Sequence, residues 1–209
     1  DTEKARTLNN YFASVCTVDD GKLPEFGVSV IDPSVTFIDS INFDAPKLLQ
    51  ALRKVKTKSK YSSGPDGYPI SLLQNLSNNM IGPLSIIYKS IFSTGTVPLA
   101  WKTAIVTPFY KKGSSSDPVN YRPISQTSVF CKLMERVTAA EMTDYLLKNN
   151  VISKHQHGFL SRRSTATNLL ECLSDWTLAI DGGQTTAAVY IDFARAFDTV
   201  SRQKLVYKL

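Results

Sequence analysis

The sequence predicts an α+β chain, rich in helix, with one hairpin and one central strand that ends at Asp192. Three observations carry that reading. Apolar residues recur at three- and four-residue spacing in several separate segments, the mark of helices with one buried face. Residues 101–110 and 120–125 read as two strands joined by a serine-rich turn that opens on Lys111-Lys112-Gly113. Ala187-Ala188-Val189-Tyr190-Ile191 is an unbroken apolar run after Asp181-Gly182-Gly183, the pattern of a strand covered on both faces.

Taken in order, Ala5, Leu8, Tyr11, Phe12 and Val15 predict a short amphipathic helix over 3–17. The following stretch, through Asn42, carries scattered Gly, Pro and Asp without a period and reads as an irregular connector. Asp44 caps the next helix, Pro46 fits its first turn, and Leu48, Leu49, Leu52 and Val55 form its buried stripe. Its far end is basic, with Arg53, Lys54, Lys56, Lys58 and Lys60. Those cations suit either a helix C-terminus or a nucleic-acid backbone. The run from Ser62 to Pro69 is dense in turn formers and predicts a fixed loop. Helices follow at 70–77 and 80–93, the second with Leu84, Ile87, Tyr88 and Ile91 inward and Gly95 as its stop. After the hairpin, Phe130, Leu133, Met134, Val137, Ala140, Tyr145 and Leu146 mark a long core helix, with Lys132 and Arg136 on its other side. Ser164 caps a helix with Leu169, Leu173, Trp176 and Ile180 inward, and Ser201 caps the start of another.

Composition narrows the class. Residues 1–50 carry four Lys/Arg against eight Asp/Glu, whereas residues 51–209 carry twenty against ten, so the net charge of +6 belongs to the later part. That is where a polyanion would bind. No apolar run approaches the roughly 20 residues needed to cross a bilayer, and the chain is expected to be soluble. Its N-terminus lacks both Met and the layout of a signal peptide, so the chain is expected to be a piece of something longer. Cys16, Cys131 and Cys172 are scattered, which argues against a disulfide framework or a zinc site and for a reducing compartment. His155 and His157 stand two apart with no Cys or third His nearby, so they are not expected to hold a metal.

Asp192 is the residue that asks for chemistry. An ionised carboxylate at the end of a buried strand is costly without a cation, donors or water to compensate it. Asp198 follows six residues on, so the chain can turn through Ala194-Arg195-Ala196-Phe197 and bring a ring and a second acid back beside the strand end.

In this order and spacing, several segments together resemble the reverse transcriptase domain of non-LTR (LINE-like) retrotransposons. The matching residues are Gly64-Pro65-Asp66-Gly67, Pro98, Trp101, Pro108, Lys111-Lys112-Gly113, Asn120-Tyr121-Arg122-Pro123-Ile124-Ser125, Lys132, Glu135, Gln156, Gly158-Phe159, Ser164-Thr165 and Asp192 through Val200. Gln126, His157 and Leu160 depart from the usual pattern, as does Arg195, which keeps the charge of the Lys common there.

The resemblance implies the fingers and first part of the palm of a right-hand polymerase. It divides the chain into a connector with a short helix (1–43), fingers and fingers–palm helices (44–180) and the start of the palm (181–209). It also implies two-metal nucleotidyl transfer from deoxynucleoside triphosphates onto a DNA primer along an RNA template, with two Mg2+ ions, or Mn2+, as cofactors. Asp192 is then the catalytic metal ligand, with the backbone of Phe193 beside it. Lys111 or Lys112, together with Arg122, grips the triphosphate, Ala196 and Phe197 lie at the sugar, and Asp198 has a structural hydrogen-bonding role at its turn. The family's paired aspartates would lie beyond Leu209, so the isolated chain is expected to be inactive. The location implied is intracellular, in the nucleus or a cytoplasmic ribonucleoprotein. A non-catalytic nucleic-acid-binding module that keeps the basic fingers surface is the alternative.

Overall fold

Ile81, Leu84, Tyr88 and Ile91 are spaced three and four apart, which puts one stripe of a long helix into the core. The computed structural model describes residues 1–16, 20–22, 38–55 and 63–208. Most of the predicted connector, and Lys56, Lys58 and Lys60, lie outside the described residues. Two compact units result, Asp1–Cys16 with Ser34–Tyr145, and Thr17–Pro33 with Leu146–Leu209.

The first unit contains α1 (Thr2–Ser14), α2 (Ala45–Arg53), α3 (Ile70–Asn75), α4 (Ser77–Thr94), β1 (Ala104–Tyr110), β2 (Tyr121–Thr127) and nearly all of α5 (Val129–Lys148). Asp44 does precede α2, with a proline in its first turn, but its carboxylate makes no cap bond. It accepts instead from Lys89 Nζ of α4 at 2.6 Å, and that contact holds its pKa below the ordinary carboxylate range. In α4 the inward face is turned slightly from the predicted one. Ile81 is buried while Ile87 is exposed, and Gly95 ends the helix at φ +64.

The core is built where α4 meets the start of α5. Tyr88 is fully buried, and its hydroxyl donates to the Phe130 carbonyl at 2.8 Å. Desolvation pushes its phenol pKa well up. Phe43 leans on Tyr88 at 5.5 Å between centroids, and Trp101 stacks on Phe130. Burial in α5 is confined to its first half, at Val129, Cys131, Leu133, Met134 and Val137, and the predicted Ala140 is exposed. Burial, then the neighbouring Glu135, pushes the Cys131 thiol up to about 11, which makes it core filling and no nucleophile.

The turn from Gly64 to Gly67 closes on a 3.0 Å backbone bond and lies against the end of β2. A Cβ on Gly64 would sit 2.4 Å from the Thr127 carbonyl oxygen and 2.9 Å from the Ser128 nitrogen, so only glycine permits this approach. Ser128 itself is fully buried, and its Oγ accepts from the Phe130 N–H at 3.2 Å, starting α5 one residue after the strand.

In the second unit Ser164 caps α6 (Thr165–Asp181) with a full capping box, and Ser201 Oγ accepts from Lys204 N at the start of α7 (Arg202–Lys208). Two expectations fail here. Leu169, Leu173 and Ile180 are 61%, 52% and 65% exposed and only Trp176 is half-buried, so the apolar stripe of α6 faces out. Residues 187–191 form no ladder, and Val189, Tyr190 and Ile191 are 79–86% exposed instead of covered on both faces. A strand exists only through a neighbour, and among the described residues the one sheet is β1–β2.

Gly64→Ala is expected to lower stability by about 1–3 kcal/mol, the usual range for overpacking. Urea unfolding measures it, and an unchanged midpoint would show that the loop does not rest on β2.

Candidate active site

The basic hairpin is a two-stranded antiparallel ribbon with Ala104 opposite Thr127 and Tyr110 opposite Tyr121. The Lys111 N–H donates to the Asn120 carbonyl at 2.8 Å, extending the pairing one step past the strands. Counting back by twos, Phe109 with Arg122 is a hydrogen-bonded pair, and Pro108 with Pro123 is a non-bonded pair. The missing proline N–H groups therefore cost no ladder bond, and they blunt both edges of the ribbon. The same count puts Phe109, Lys111 and Arg122 on one face, since opposite residues share a face and side chains alternate. Lys112 falls in the turn. All three cations are exposed.

Several residues without charge fix that turn. Tyr110 Oη donates to the Gly113 carbonyl, Tyr121 Oη to the Ser115 carbonyl at 2.8 Å, and Asn120 Nδ2 to the Ser114 carbonyl at 2.9 Å. Gly113 has φ +92, and a Cβ there would meet the Asn120 amide at 2.7 Å, so glycine is required on both counts. The sequence motif thus has a structural content beyond its cations. Gln126, one of the departures, reaches Thr107 Oγ1 across the strands at 3.5 Å.

Asp192, Phe193, Ala196 and Phe197 are exposed and share one tight segment of the second unit. The chain turns immediately after Asp192 and Phe193. Asp198 N–H and Thr199 Oγ1 both donate to the Arg195 carbonyl, at 2.9 and 3.1 Å, and Arg195 has φ +54. The bonds that close the turn therefore come from the Asp198 backbone and from Thr199. Phe197 meets Phe159 edge to face at 5.8 Å.

Sequence reading missed the role of the two histidines. His155 Nδ1 and His157 Nε2 both engage the carboxylate of Glu171 on α6, the latter at 2.6 Å, and His157 Nδ1 lies 2.9 Å from Thr167 Oγ1. That hydroxyl is also bonded to the Ser164 backbone, so His157 is tied to the N-terminal cap of α6 as well as to Glu171. The pair clamps residues 155–157 to α6. Spacing alone gave no hint, because Glu171 lies 14 and 16 residues away.

An Asp carboxylate beside a backbone carbonyl suits a hard cation such as Mg2+ or Mn2+. Asp192 and Phe193 fit one corner of such a site. Among the described residues no group of three or more His, Cys, Asp or Glu is placed to hold a metal ion, so a complete set is not assembled.

Comparison with known proteins bears on this arrangement of a basic hairpin and, later in the chain, an exposed Asp at a turn. Residues 110–209 match the model of the family described as reverse transcriptase (RNA-dependent DNA polymerase), in line with the resemblance that the sequence motifs carry. In Drosophila melanogaster, the probable RNA-directed DNA polymerase from transposon BS is 30% identical over 78% of this chain and 18% of its own length. The RNA-directed DNA polymerase from mobile element jockey is 27% identical over 73% of the chain and 17% of its own length. The probable enzyme from transposon X-element is 24% identical over 70% and 16%. The chain thus spans under a fifth of the length of these relatives.

Hydrogen bonds from His155 and then His157 hold the Glu171 pKa below the ordinary carboxylate range. A depressed pKa means that the clamp stabilises the fold above the unfolded-state value and is lost as pH falls through the folded one. NMR titration of the Glu171 carboxyl is expected to give a midpoint below that of a free Glu. A midpoint at or above it would contradict the clamp.

Proposed function

We propose that the complete protein is an RNA-directed DNA polymerase that copies a retrotransposon RNA into DNA, and that this chain supplies the fingers and first part of the palm of a right-hand fold. One observation carries the reading to a site: the Asp192 carboxylate stands exposed at the entry to the Ala194–Asp198 turn, which also presents the Phe197 ring. Asp192 and the Phe193 carbonyl would hold divalent metal, Mg2+ or Mn2+, and the bound ions supply Lewis acidity and a charge that favours the attacking oxygen. The remaining ligands come from the greater part of the protein that relatives have outside the matched segment. Residues 1–209 alone are therefore expected not to extend a primer.

The chain's own residues bind and orient. Arg122 donates in pairs to phosphate oxygens, and Lys111 on the same face and Lys112 in the turn add point charges, so the hairpin holds the triphosphate. Phe197, with the small Ala196 beside it, forms the floor under the incoming sugar and excludes a 2′-hydroxyl by size. The partners are an RNA template, a DNA primer and deoxynucleoside triphosphates. The place of action is the nucleus or a cytoplasmic ribonucleoprotein, in keeping with three free cysteines. No described helix is long and apolar enough to cross a membrane.

In the complete polymerase, Asp192→Asn is expected to abolish nucleotide incorporation on an RNA template and leave template binding unchanged. Salt-sensitive template binding without incorporation in the unaltered complete protein would instead favour a non-catalytic binding module. Arg122→Ala is expected to lower kcat/KM for nucleotide by about ten- to hundredfold, with Arg122→Lys recovering part. Unchanged nucleotide dependence with weakened template binding would move Arg122 to the template path.

A further inference from the structure

Phe159 stands in a conformation that its side chain disfavours. Its φ is +64, a left-handed backbone that Gly or Asn adopts readily and a bulky residue does not. Nor does the hydrophobic effect account for it, because Phe159 is 90% exposed. Strain of this kind persists only where the surroundings fix it, and here they do. Upstream, His155 and His157 are bonded to Glu171 of α6, and the His157 side chain is only 8% exposed. Gln156 Nε2 donates to the Gly158 carbonyl at 3.2 Å, immediately before the strained residue. Downstream, the Arg163 N–H donates to the Leu160 carbonyl, and the Arg163 guanidinium to the Lys154 carbonyl. Nothing in the structure requires glycine at 158, where a Cβ would meet open space. The loop is a braced mount, and what it presents is one ring.

That ring meets Phe197 at 5.8 Å with an interplanar angle of 84°. Edge-to-face geometry sets the positive edge of one ring against the negative face of the other, so it fixes orientation as well as distance. Phe197 is itself 82% exposed, so this contact is a main restraint on its ring. We propose that Phe159 is a positioning residue that holds the Phe197 ring in its sugar-facing orientation, and thereby sets the preference for deoxyribonucleotides over ribonucleotides. The inference rests on the reading of Phe197 as the floor under the sugar. It also explains why a ring stands where backbone geometry favours Gly or Asn.

The test uses the complete polymerase and compares kcat/KM for a deoxyribonucleotide with that for the matching ribonucleotide. Phe159→Asn keeps a residue at ease in the left-handed backbone and deletes the ring, while Phe159→Tyr keeps the ring. Phe159→Asn is expected to lower discrimination by about three- to tenfold, within what an edge-to-face contact supports, and Phe159→Tyr to restore it. In a Phe197→Val background, where discrimination falls by about a hundredfold, Phe159→Asn is expected to add nothing. If Phe197→Val discriminates as strongly as the parent, the sugar-floor reading falls and this inference with it. If Phe197→Val loses discrimination but Phe159→Asn keeps it, or lowers it equally in both backgrounds, the positioning role alone is overturned.

Discussion

The bond from the Tyr88 hydroxyl to the Phe130 carbonyl is the joint on which the first unit depends. It ties the middle of α4 to the first turn of α5, and only Ser128 separates β2 from α5. Trp101, just before β1, stacks on the same Phe130. Both legs of the hairpin are thus rooted in one buried cluster, with Gly64 pressed against the end of β2. Everything the hairpin does at its tip is done from that base.

From it the ribbon projects with both faces exposed, an arrangement that invites association along its edges. The opposed Pro108 and Pro123 answer that hazard by leaving each edge without an N–H at the same level. The tyrosines at the tip then give Lys111, Lys112 and Arg122 a fixed frame, with two of the three cations sharing a face. A phosphate-gripping role needs such order, because a charge on a loose loop gains attraction and then loses most of it to entropy.

Much of the first unit was legible in the sequence. The stripes of α2 and the first half of α5 are buried as their spacing predicts, that of α4 differs only in burying Ile81 and not Ile87, and the hairpin has the predicted basic turn. Where the reading failed, the pattern was right about what wants cover and silent about what covers it. The stripe of α6 and the run 187–191 are apolar for a reason, yet among the described residues they are exposed. Periodicity names a face, not its partner. The His155–His157–Glu171 clamp and the backbone of Phe159 were out of reach for another reason: one needs a partner more than a dozen residues away, the other a dihedral angle that no residue type announces.

The proposed polymerase reading requires residues 187–191 to be covered in the complete protein, with Asp192 at the edge of that cover. Hydrogen exchange tests it directly, by comparing residues 187–191 in this chain and in the complete protein. The account predicts fast exchange here and strong protection there, as the run gains strand neighbours on both sides. Equally fast exchange in the complete, active protein would contradict it and leave Asp192 on a loop.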